Sequence, residues 1–126
     1  IGLTTSPICF FMISWVKEKF GYDDALDAFG CHGVGGIWGG ICTGLFCKVS
    51  INDIGQGNGL FFGDTHLFLA QLASIGITIV VSVAGTLICY GITRLVTGKI
   101  TEREERVGLD RSQHGESAYP SFNGLD

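Results

Sequence analysis

Charge is scarce in this chain, and the places that lack it are not scattered. Only 16% of the 126 residues are Asp, Glu, Lys or Arg. Three stretches have none: Ile1 to Val16 over 16 residues, Ala28 to Cys47 over 20, and Thr65 to Thr93 over 29. At 1.5 Å per residue the second stretch makes a helix of about 30 Å, the depth of a bilayer's hydrocarbon core, and the third one of about 43 Å. Soluble enzymes of this length rarely carry two such runs, so the composition predicts an integral membrane protein.

Other absences narrow the reading further. Two prolines and no low-complexity tract argue against long disorder. There is no basic stripe, and the formal net charge is −4, so nucleic acid is not an expected partner. The five cysteines, Cys9, Cys31, Cys42, Cys47 and Cys89, form no C-x-x-C and all lie in apolar segments. They read as small packing residues. Cys31 and His32 lack two further ligands at a usable spacing, so neither a metal nor another cofactor is expected. The chain begins with Ile1 rather than Met. Its first run has neither a basic leader nor a small-residue cleavage site and would make a poor signal peptide. That run is shorter than the ~20 residues a span needs, so it is expected to be the end of a helix that begins upstream. Pro7 should kink or break it.

What the chain does have is glycine. Residues 30, 33, 35, 36, 39, 40 and 44 are all Gly, around a single ionisable side chain, His32. In a soluble helix each would cost about 1 kcal/mol relative to Ala. In a membrane, small residues let neighbouring backbones approach. His32, Gly36, Gly40 and Gly44 are spaced by four and share a face. That face suits either close helix packing or the wall of a narrow passage. Asp23 or Asp24 can cap the helix, and Asp27 falls in its first turn. Asp27 reads either as one more helix-start carboxylate or as a functional residue that ties the helix end to a neighbouring segment or helps tune a pore entrance.

The remaining landmarks set the layout. Trp15 and the charges of Lys17, Glu18 and Lys19 resemble a membrane-surface flank. Gly21 to Asp24 forms a turn, and residues 50–65 form an exposed loop, with Asp64 or Thr65 capping the third run. In that run Ser74, Ser82 and Gly85 look like packing contacts. Gln71 and Thr78 suit interhelical hydrogen bonds, and His66 an interface. Its length requires tilt or protrusion. Arg94, Lys99, Arg103, Arg106 and Arg111 lie near the last membrane end, against Lys48 alone in the loop, so the tail is expected in the cytoplasm. The expectation is therefore an all-α membrane protein. It has three transmembrane helices, at about 1–17, 25–47 and 65–97, and a cytosolic tail over 98–126.

Two motifs carry a resemblance. Asp-Asp-Ala-Leu-Asp-Ala-Phe-Gly-Cys-His-Gly-Val-Gly-Gly-Ile-Trp-Gly, residues 23–39, resembles the signature of the ammonium transporter family (Amt/Mep/Rh). So does the tail, Glu105-Arg106-Val107-Gly108-Leu109-Asp110 through His114-Gly115-Glu116-Ser117-Ala118-Tyr119. The likeness covers nearly the whole chain, at the C-terminal third of such a transporter. Phe29 stands where the Rh branch usually has an extra histidine, which favours the Amt branch.

The resemblance implies trimers of eleven-helix protomers in the cell membrane, each with its own hydrophobic pore. The three runs would be the ninth, tenth and eleventh helices. It implies that His32 is the second of two pore histidines, the first belonging to a helix outside this chain. A midplane His32 would draw Asp27 well into the protein, about 7.5 Å away along a helix, where it needs partners. The tail residues Gly108, Asp110, His114, Gly115 and Tyr119 match the family's tail motif, which docks beneath a neighbouring protomer. A partly ordered acidic-basic tail is the alternative. Ser112 aligns with a position that some relatives phosphorylate as threonine; a phosphate there would add negative charge beside Arg106 and Arg111. In bacterial relatives the nitrogen-regulatory PII signal protein binds this face.

The chemistry is consistent with that role. Ammonium is costly to move through a dry apolar tube, and K⁺ is nearly the same size. Stripping the proton and conducting ammonia separates the two, because K⁺ cannot shed its charge. An imidazole can accept and donate protons, and burial disfavours its charged form. The expected function is transport rather than chemical catalysis, with an ammonium sensor or a non-conducting truncated product as rivals. A sensor should carry a signalling domain after the tail.

Overall fold

The computed structural model describes residues 1–53, 55 and 57–117. Among them every regular element is helical. The chain divides into two units, Ile1–Val83 and Ala84–Asp126.

Helix α1 spans 2–20. It is α-helical over Gly2–Phe11, widens into a π-helical turn over Met12–Val16 and closes with Lys17–Phe20. The Thr4 and Thr5 hydroxyls donate to the Ile1 carbonyl at 2.9 and 3.0 Å and secure the first turn. The helix runs through Pro7 without ending; its departure from α geometry is the wide turn just beyond Phe11. It also runs three residues past the expected end at 17. Lys17, Glu18 and Lys19 are good helix formers, and the stop is Gly21, left-handed at φ 59°. Lys19 lies over the Trp15 ring, 4.5 Å from its centroid.

Helix α2 spans 29–46, with a π-helical turn over Phe29–Val34 and α-helix over Gly35–Phe46. It begins later than the expected 25. The reason is Asp27, whose φ of +54° is incompatible with a right-handed helix and is tolerated by Asp better than by most residues. Beyond α2 the chain folds back on itself. The Gly59 N–H donates to the Cys47 carbonyl at 2.7 Å, and the Val49 N–H to Asn58 Oδ1 at 3.0 Å. Phe46 and Phe61 stack with centroids 5.1 Å apart. Gly59 is buried, and a Cβ there would meet the Leu45 carbonyl oxygen at 2.5 Å. The loop is thus pinned at its base.

Helix α3, His66–Thr97, starts where Asp64 Oδ1 accepts the His66 N–H at 2.9 Å and stops before Gly98, left-handed at φ 76°. Its 32 residues make about 48 Å, and it alone among the described helices is long and apolar enough to cross a membrane. Most of its large apolar side chains are exposed in this chain, Ile77 and Val80 among them, whereas Phe68 and Ile75 are half-buried.

Glycine sets how closely the first unit's helices approach. Gly30 of α2 lies against the Ile13 side chain of α1, and Gly35 against Cys9 Sγ. Trp38 Nε1 donates to Thr4 Oγ1 at 2.9 Å across the same pair. On the other side, a Cβ on Gly40 would lie 3.1 Å from Ile75 Cδ1, and one on Gly44 3.0 Å from the Phe68 Cα. Cys42 is the only fully buried hydrophobic side chain among the described residues. All five cysteines are free thiols.

In the second unit the tail holds two short helices, α4 (Glu102–Val107) and α5 (Leu109–Ser112), joined at Gly108, φ 94°.

Candidate functional site

The first unit concentrates its polar chemistry where α1 ends and α2 begins. A helix starts with four amides that have no partner within it. Here Asp24 serves two of them: Oδ1 accepts the Ala28 N–H and Oδ2 the Phe29 N–H, each at 2.9 Å. The Asp27 carbonyl accepts the Cys31 N–H at 3.0 Å. Asp24 therefore caps α2 from a turn upstream, rather than from the residue next to the helix.

Asp27 has the partner that its position demands. Lys17 Nζ donates to Asp27 Oδ1 at 2.6 Å and to the Asp24 carbonyl oxygen at 2.6 Å. Both side chains are largely covered, with relative exposures of 29% for Lys17 and 38% for Asp27. Asp27 is thus bonded to the neighbouring segment, α1. In the sequence Lys17 is legible only as a flanking charge. The signal that marks it is a carboxylate at the very edge of an apolar run, with a lysine near the end of the preceding helix.

His32 sits within the π-helical turn of α2, and its side chain is exposed. Neither α1 nor α3 covers it, and among the described residues no hydrogen bond or ion pair reaches its ring. Gly33, next to it, makes room for Phe29: a Cβ there would lie 2.9 Å from the Phe29 ring. The Phe29 ring in turn meets Tyr22 edge-on at 6.0 Å. The Tyr22 hydroxyl is buried without a hydrogen-bond partner among the described residues. Of the four-residue stripe, Gly40 and Gly44 meet α3, whereas nothing lies within 4 Å of a Cβ at Gly36. Helices α2 and α3 have parted by that level. The result is an exposed imidazole in the wide turn, an open glycine at 36, and glycines packed on α3 at 40 and 44.

The tail residues form a separate, local arrangement. The Gly108 carbonyl accepts the Ser112 hydroxyl at 2.8 Å and the Ser112 N–H at 3.0 Å. The His114 N–H reaches the Leu109 carbonyl at 3.2 Å, and the Glu116 N–H the Asp110 carbonyl at 2.8 Å. Gly115 is left-handed at φ 67°. These bonds bring Gly108, Asp110, Ser112, His114 and Gly115 together in one compact turn. Tyr119 lies outside the described residues. Sequence reasoning missed the device that starts this region. Thr101 Oγ1 accepts the Glu104 N–H at 3.3 Å while Glu104 Oε2 accepts the Thr101 N–H at 2.8 Å, a reciprocal capping box. The Thr101-x-x-Glu104 spacing was its signal. The Thr101 hydroxyl also holds the Glu104 carboxyl below its ordinary value near 4.5. Among the described residues no cluster of His, Cys, Asp and Glu could hold a metal ion.

Comparison with known proteins gives one consistent result. The model of the Ammonium Transporter Family matches residues 1–119. The chain is 48% identical over 120 residues to the "Ammonium transporter" of Bacillus subtilis, covering 94% of this chain and 30% of that protein. It is 41% identical over 119 residues to the "Ammonium transporter" of Aquifex aeolicus, covering 94% and 27%. It is 35% identical over 121 residues to "Ammonium transporter Amt1" of Archaeoglobus fulgidus, covering 94% and 30%. The chain therefore spans under a third of the length of these relatives.

Proposed function

Because this chain belongs to the ammonium transporter family, we propose that it forms the C-terminal part of an Amt-type transporter that conducts ammonium-derived ammonia through a hydrophobic pore. The observation that carries the reading is His32, exposed on α2 four residues before Gly36, where nothing lies within 4 Å of an added Cβ. A pore wall supplied by the rest of the protomer has room to face it. In this reading ammonium gives up its proton at the mouth of the passage. Ammonia then moves along the apolar wall, and His32, paired with a second imidazole, relays the proton. K⁺ is excluded because it has no proton to give.

The same reading has α1, α2 and α3 cross the cell membrane, with the Lys17–Asp24 turn and the tail in the cytoplasm. The five tail cations against Lys48 support that orientation. The protein acts as a homotrimer, and the compact turn at residues 108–117 is the segment by which one protomer touches the next. A PII-type signal protein is the expected regulatory partner at that face.

The experiment is complementation. The full-length gene that carries this chain is expressed in a cell unable to take up ammonium, and growth on low ammonium is scored for the unsubstituted protein and for His32→Ala. Growth restored by the first and lost with the second supports the pore role. A protein that reaches the membrane and restores no growth contradicts transport and favours the sensor.

A further inference from the structure

The reading of His32 as a pore residue leaves open what holds its turn in place, and the inference here rests on that reading. We propose that Lys17 is a positioning residue for His32. It acts by bolting the residues that start α2 to the end of α1.

Three observations carry this. The first is an unbroken chain of bonds. Lys17 Nζ holds Asp27 Oδ1 and the Asp24 carbonyl, each at 2.6 Å. That Asp24 carbonyl also accepts the Asp27 N–H at 3.1 Å. The Asp24 carboxylate holds the amides of Ala28 and Phe29, and the Asp27 carbonyl holds that of Cys31, the residue before His32. One ammonium group thus grips both aspartates that define where α2 begins.

The second is the backbone of Asp27, left-handed at φ +54°. Asp accepts that conformation better than most residues but still at a cost, which contacts that hold it offset. The Lys17 contact is the holding interaction that its side chain makes.

The third is the pairing of the two wide turns. A π-helical turn takes in one extra residue, which rotates everything after it by about 100° relative to an uninterrupted α-helix. The turn over Met12–Val16 ends directly before Lys17 and so sets the direction from which the lysine reaches Asp27. The turn over Phe29–Val34 contains His32. The two turns meet where Ile13 lies against Gly30. Lys17–Asp27 closes this contact at one end, so the ring's direction depends on both helices keeping their bulges in register.

The test uses the full-length transporter in proteoliposomes, with ammonium and K⁺ flux measured per inserted molecule. A mis-set relay group loses function steeply, so Lys17→Ala is expected to lower ammonium flux by about tenfold to a hundredfold and to lower the ammonium-to-K⁺ ratio. Lys17→Arg, which keeps the charge and the reach, should retain most of both. The swapped pair Lys17→Asp with Asp27→Lys should recover part of what Lys17→Ala loses. A merely structural lysine would change the amount of inserted protein and leave flux per molecule and selectivity alone; that outcome overturns the proposal. So does a loss that neither arginine nor the swap repairs. If Lys17→Ala does not insert, the arginine and swap variants decide by the same criteria. His32→Ala run alongside separates the two claims. If it abolishes selective flux while Lys17→Ala does not, only the positioning role fails. If both leave flux unchanged, the pore reading fails first.

Discussion

The starts of α2 and α4 solve the same problem in opposite ways. Both are helix N-termini whose unpaired amides are met by side-chain oxygens, of Asp24 at α2 and of Thr101 and Glu104 at α4. At α4 everything needed lies within a few residues: Thr101 and Glu104 cap each other, and Arg106 pairs with Glu102 one turn on at 2.6 Å. At α2 the cap needs Lys17, ten residues away on another helix. The first is a local device, exposed to solvent, that any short segment could use. The second works only once α1 and α2 are packed. Disturbing α4 should stay in α4, whereas disturbing the start of α2 should reach His32.

The largest expected effect comes from the contact that lets α1 and α2 meet. Gly30→Leu would force a side chain into Ile13, and overpacking of this kind costs about 1–3 kcal/mol or more. The full-length protein should lose thermal stability in detergent and ammonium flux together. Unchanged melting would mean that the two wide turns are not in contact.

Next is Asp24→Ala, which strips two amides of their acceptor and should cost about 1 kcal/mol, as cap deletions do. Hydrogen exchange should speed up at Ala28 and Phe29 while residues 101–107 keep their rates. Acceleration in both places would erase the contrast between the two starts.

Thr101→Ala should cost about 0.5–1 kcal/mol of α4 stability and leave ammonium flux as it was. Helical chemical shifts over 102–107, read beside the transport rate, check both halves.

The smallest effect concerns pH. The Thr101 bonds lower the Glu104 carboxyl below 4.5, so its contribution is complete above that value and is lost as pH falls through the depressed one. A carboxyl-carbon titration of Glu104 should have its midpoint under 4.5, and Thr101→Ala should raise it. A midpoint unmoved by the substitution would mean that the capping box does not form.

Legibility in the sequence divides along the same line. The uncharged runs give the three long helices nearly to their ends, because apolar length is a property of each segment alone. Gly21 and Gly98 mark their stops by the same kind of local rule. The start of α2 falls later than the expected 25 because Asp27 adopts a left-handed conformation and is tied to α1. The stripe from His32 to Gly44 was drawn on α-helical spacing, but a π-helical turn occupies Phe29–Val34 and α3 departs before Gly36. Both depend on the position of a neighbouring helix, which spacing does not encode. The capping box at Thr101 was readable, yet a charged tail drew attention to its net charge instead of its order.

The central claim is that the imidazole of His32 separates ammonium from K⁺, and paired flux measurements test it most directly. The full-length transporter and its His32→Ala variant are reconstituted at equal inserted amounts, and ammonium and K⁺ currents are recorded in the same vesicles. The account predicts that the substitution removes most ammonium flux or lets K⁺ through, so that the ratio collapses. Equal ammonium flux with K⁺ still excluded would contradict it.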